Sequence, residues 1–115
     1  MTTTNAKQEF LTHTSERCVG GRTVRCALIK LYTAKDKVEA ILPVGYTPED
    51  LELFLNEIDF EYDSGYGGQN LYGTIWYTDG LTWSSRFEYN GFECWDFNEI
   101  PEITPELLGD PASRV

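Results

Sequence analysis

Two closely spaced dipeptides, Asp79-Gly80 and Asn90-Gly91, constrain this chain more than any other feature. Both are preferred in tight hairpin turns, where the backbone must take positive φ at little steric cost. The runs they separate, Leu71 to Tyr77, Thr82 to Tyr89 and Phe92 to Asn98, then read as three sequential strands, an antiparallel meander. In the middle strand Trp83, Ser85, Phe87 and Tyr89 share one face, while Ser84, Arg86 and Glu88 share the other. In the third strand Trp95 and Phe97 are opposite in parity to Cys94 and Asp96. The expectation is that one face of the meander packs under a helix and the other carries charge.

The helix comes from Thr47. Thr47 suits an N-cap, Pro48 suits the first helical position because its missing N–H had no partner there, and Asp50 completes a variant capping box. Leu51, Phe54, Leu55 and Ile58 follow at i, i+3, i+4 and i+7, which gives one core-facing stripe and leaves Glu49, Glu52 and Glu57 toward water. Upstream, Thr23 to Tyr32 alternates over Val24, Cys26 and Leu28 and then shifts parity to Ile29 and Leu31, the mark of a bulge or of a strand covered on both faces. A turn over Ala34 to Asp36 brings the chain back through Val38 to Leu42 as a hairpin. Ala6 to His13 reads as a short helix, marginal by itself. The fold class is therefore α+β, an antiparallel sheet with a C-terminal three-stranded meander, an N-terminal hairpin and one core-packing helix.

With 115 residues the chain suits a single domain over 1–115, with 1–7 and 108–115 expected to fray. No stretch reaches the roughly 18 consecutive apolar residues of a membrane span, and Met1 to Lys7 has no apolar leader region, so a cytoplasmic location is expected. Cys18, Cys26 and Cys94 are odd in number and form no C-x-x-C pair, which argues for reduced thiols over a disulfide framework or a zinc site.

Charge is the most informative global property. The formal net charge is -10, yet Met1 to Tyr46 carries seven Lys or Arg against four Asp or Glu, while Thr47 to Glu102 carries only Arg86 against thirteen carboxylates. Acidity confined to one part of the chain points to one strongly negative face. Direct nucleic-acid binding is disfavoured, because it needs a basic patch. Its complement is favoured: a carboxylate field at nucleic-acid-like density can occupy the basic groove of another protein.

The residues assigned to that partner-binding surface are Glu49, Glu52, Glu57, Asp59, Glu61, Tyr62, Asp63, Tyr66, Glu88 and Glu93. Tyr62 and Tyr66 belong to a glycine-rich loop, Phe60 to Gln69, which offers an alternative: an interaction protein that binds through aromatic side chains, with acidity serving solubility. A third reading pairs Glu88 with Glu93 across the hairpin as acid and base of a small hydrolase. The lone His13 lies in a segment expected to be mobile, so a nucleophile-base pair has little support. The loop glycines lack the Gly-Lys-Ser/Thr of a phosphate loop, and Asp59, Glu61 and Asp63 lack the EF-hand spacing. No cofactor or metal is expected, and the expected activity is non-catalytic.

The segment from Gly73 to Trp95, with Pro101-Glu-Ile after it and Phe60-Glu-Tyr-Asp-Ser-Gly-Tyr-Gly-Gly before it, resembles small proteins carried by phages and other mobile elements. Acidic proteins of that setting include anti-CRISPR and anti-restriction inhibitors, several of which imitate nucleic acid. The resemblance implies a phage-type inhibitor whose partner is a host defence nuclease with a basic nucleic-acid-binding surface. It carries over no functional residue.

Overall fold

The computed structural model describes residues 3–33, 36–63, 69–89 and 92–101. The Asn90-Gly91 turn, Ala34, Tyr66 with residues 64–68, and the tail from residue 102 lie outside the described residues. Among those described, the order is β1 (Thr3–Asn5), α1 (Ala6–Arg17), β2 (Val24–Tyr32), β3 (Lys37–Leu42), α2 (Pro48–Glu57), β4 (Glu61–Asp63), β5 (Leu71–Tyr77), β6 (Thr82–Tyr89) and β7 (Phe92–Glu99). Strands β3-β2-β5-β6-β7 form one antiparallel sheet, and β1 pairs with β4 in a second, two-stranded ladder. The fold is α+β, with the hairpin β2-β3 and the meander β5-β6-β7 that the sequence predicts.

Helix α2 forms for the anticipated reasons. The Thr47 hydroxyl accepts from the Asp50 N–H and the Asp50 carboxylate accepts from the Thr47 N–H, a reciprocal capping box. Phe54 and Ile58 are fully buried, with Leu51 and Leu55 packed beside them. Two helices cover the sheet instead of one. Asn5 caps α1 by accepting from the Gln8 N–H, and the helix runs to Arg17 because Phe10 packs edge-on against Phe54 and Trp95. The N-terminal residues expected to fray from Thr3 onward are thus strand and helix, anchored by tertiary contacts that local propensity does not encode.

In β2 the parity shift is a register irregularity between Val24 and Cys26. It turns Ala27, Ile29 and Leu31 inward toward Ala40, Leu42, Leu71 and Ile75. Gly73 lies opposite Ile29, and a Cβ there would come within 2.6 Å of the Leu28 carbonyl oxygen, so this close β2–β5 approach requires glycine.

In β6 the faces are the reverse of the expected assignment, while in β7 Trp95 and Phe97 face the core. Ser84 is completely buried and Arg86 is 8% exposed, both beneath the helices. Phe87 and Trp76 instead sit on the open face, each 43% exposed, with Trp83 half-buried directly across from Trp76. The apolar parity of β6 faces water because the polar parity finds partners inside.

Candidate functional site

Arg86 organises the buried side of the meander. Its Nη2 donates to the Tyr62 hydroxyl (2.7 Å) and lies 3.6 Å from Glu93, while Nη1 lies 3.0 Å from Glu9 as an ion pair without a directed hydrogen bond. The guanidinium also stacks near the rings of Trp95 (5.1 Å) and Tyr62 (5.6 Å). Tyr62 donates to Glu9. Burial raises the Tyr62 hydroxyl far above the ordinary phenol range, against the opposing pull of Arg86, and its bond to Glu9 adds to the rise. Glu93 is committed on both oxygens, accepting from the Asn70 N–H at 2.8 Å and the Leu71 N–H at 2.9 Å.

A second polar chain runs beside the first. His13 Nε2 is 2.6 Å from Ser84 Oγ, which is 2.7 Å from the Tyr77 hydroxyl, and the His13 ring stacks on Trp95. His13 is therefore held on α1 against the sheet, contrary to the mobility expected of it. Its pKa is lowered, first by burial and then by Arg17, so the ring is neutral at pH 7. The pair has the atoms of a nucleophile and its base, but Ser84 is wholly enclosed. An open cleft of about 370 Å³ lies on the α1 side, with Glu9, His13, Glu16 and Trp95 among its walls; Ser84 does not reach it. Burial pushes the Cys18 and Cys94 thiols upward, which keeps them protonated at neutral pH. Among the described residues no group of three or more His, Cys, Asp or Glu is arranged to hold a metal ion, and no helix is long and apolar enough to cross a membrane.

These networks redistribute the residues assigned to partner binding. Tyr62 and Glu93 are 4% and 6% exposed, and so do not belong to a surface field. Glu88 and Glu93 are register partners across β6 and β7, as the hydrolase pairing requires, but Glu93 faces the core and Glu88 is exposed. Asp63 is half-buried in β4. That strand lies inside a segment expected to be loop; three residues are too few to show alternation, and β1, its partner, is far from it in the sequence.

What remains together is Glu49, Glu52, Glu57, Asp59 and Glu61, all exposed on α2 and the chain that follows it. Asp59 accepts from the Asn5 amide, and none of the five joins an ion pair among the described residues. The ridge carboxylates on the ten-residue α2 are Glu49, Glu52 and Glu57, Asp50 being held in the capping box. At 1.5 Å per residue this is about one carboxylate per 5 Å. One nucleic-acid strand carries a charge every ~3.4 Å, and a duplex one every ~1.7 Å of axis. The sequence signal for this ridge was the amphipathic period of α2; nothing local marked Glu9, His13 and Ser84 as neighbours.

No protein-family model, no curated protein and no solved structure matches this chain.

Proposed function

We propose that this chain is a non-catalytic protein-binding module whose acidic ridge, Glu49, Glu52, Glu57, Asp59 and Glu61, occupies a basic nucleic-acid-binding groove on a partner protein. The observation that carries the reading is the exposure of these five carboxylates on one helix-to-strand segment, outside any ion pair among the described residues. On α2 their linear density, about one per 5 Å, is nearer to the ~3.4 Å of a single strand than to the ~1.7 Å of a duplex, which favours a groove that holds one strand. Through Tyr62, Arg86 and Glu9 the buried network ties β4, which carries Glu61, and α1 to the sheet. In the finer form of the proposal, drawn from the resemblance to phage proteins, the partner is a host defence nuclease and the module is its inhibitor.

The test is affinity capture from a host lysate on the immobilised protein, with salt steps and single-stranded DNA as competitor. Nucleic-acid-binding proteins should be retained at low salt, leave as salt rises, and be displaced by the DNA. A variant with Glu49, Glu52, Glu57 and Asp59 all changed to Lys should retain none of them. Capture that resists salt and survives the charge reversal would contradict the proposal.

A further inference from the structure

The helices cover one face of the five-stranded sheet and leave the other uncovered among the described residues. Six large side chains lie on that open face with 40% or more of their surface exposed: Tyr32, Ile41, Tyr72, Trp76, Phe87 and Phe92. The register places them on one side, with Leu28 opposite Ile41, Cys26 opposite Trp76 and Cys94 opposite Phe87. Tyr32 and Tyr72 already meet, ring centroids 5.7 Å apart. We propose that this face is a self-association surface, on which a second copy of the chain packs sheet against sheet.

Area is the first argument. At ~200 Å² each, six side chains nearly half exposed amount to roughly 550 Å² of largely apolar surface. That is in the upper part of the range for the largest patch on a typical monomer, and about two thirds of the ~800 Å² per partner in a standard interface. Half-buried Leu28 and Trp83 and the polar residues among them add to it.

Charge selects the occupant. In a chain of net charge -10, this face is balanced: Lys30 and Lys37 toward the β3 side, Glu39 bridged to Lys30 at 3.7 Å, and Asp96 on β7. A two-fold axis parallel to the strands lays β3 of one copy over β7 of the other, with Asp96 at the level of Ile41, so two copies meet through a face without net charge. Any docking that brought the α2 surfaces together would repel. Sheet-to-sheet packing puts the two acidic helices on the outside, roughly 30 Å apart, given ~10 Å per layer. That exceeds three Debye lengths of ~8 Å in physiological salt. The dimer would be a β-sandwich with helices outermost and one acidic ridge on each side.

Sedimentation equilibrium of the untagged protein from micromolar concentration upward tests this. The expected mass is twice the 13.1 kDa of the chain, retained in high salt. Trp76→Lys and Ile41→Lys should each weaken association at least 100-fold while keeping the circular dichroism spectrum of the parent; Ile41 lies on an edge strand at 56% exposure, so its replacement leaves the core intact. A parent protein that sediments as a 13.1 kDa monomer throughout overturns the inference, as does a dimer that both variants retain.

Discussion

The two halves of the five-stranded sheet bury different chemistry on the same face. Under α2, strands β3, β2 and β5 present Ala40, Leu42, Ala27, Ile29, Leu31 and Ile75, an apolar layer packed closely enough that Gly73 has no room for a Cβ. Under α1, strands β6 and β7 present Ser84, Arg86, Glu93 and Trp95; the Ser84 hydroxyl, both Glu93 oxygens and Arg86 Nη2 find partners from other parts of the chain, while Arg86 Nε and Nη1 and Trp95 Nε1 make no directed hydrogen bond among the described residues. The first half is held by area removed from water. The second is held by mutual satisfaction, in which each member is costly to keep without the others.

The largest test of that contrast is Arg86→Met. Methionine fills the space but strands Glu93 and Glu9, and the loss should be about 3–5 kcal/mol of unfolding free energy in urea. A loss below about 1 kcal/mol would mean that the carboxylates are hydrated and the network is not a structural unit. In the apolar half, Gly73→Ala should lower stability by about 1–3 kcal/mol, because the new methyl's tightest contact is the Leu28 backbone oxygen, which cannot move aside as a side chain can.

A smaller effect is expected on the open face. Phe87→Thr, measured at submicromolar concentration to keep copies apart, should change stability by less than about 1 kcal/mol, the scale of a cross-strand pair. An effect as large as that of Arg86→Met would place Phe87 in the core and reverse the assignment.

The smallest effects are those of pH. His13 has a lowered pKa in the folded state, so its contribution to stability is intact above the ordinary 6.5 and is lost as pH falls through the lowered value; His13→Gln should flatten the slope just below pH 6.5. Asp79 is held down to about 2, first by the Leu81 N–H, with Thr82 and Arg22 adding to the effect. Its contribution is present above 3.8 and lost as pH falls toward 2, and Asp79→Asn should remove that acid limb.

The same division explains what was legible in the sequence. The apolar half was readable because its signals are local: the Thr47 cap, the 51-54-55-58 stripe and the parity shift in β2 are spacings within single elements. The meander's existence was readable too. The orientation of β6 was not, because alternation assigns Trp83 and Phe87 inward unless the partners of Arg86 are known. Those partners are Glu9 on α1, Tyr62 on β4 and Glu93 on β7. No spacing within one element brings them together. The ridge survives as a candidate site for the exposed carboxylates of α2 and of the segment after it, Asp59 and Glu61, and loses Tyr62 and Glu93, whose burial depends on the same long-range network.

The orientation of the meander's faces is tested most directly by acrylamide quenching of two single-tryptophan variants at submicromolar concentration, one retaining only Trp76 and the other only Trp95. Trp76 should emit at long wavelength and be quenched readily, while Trp95 should emit toward the blue and be shielded. A shielded Trp76 beside an accessible Trp95 would contradict the account, placing the aromatic face inside and the charged network in water.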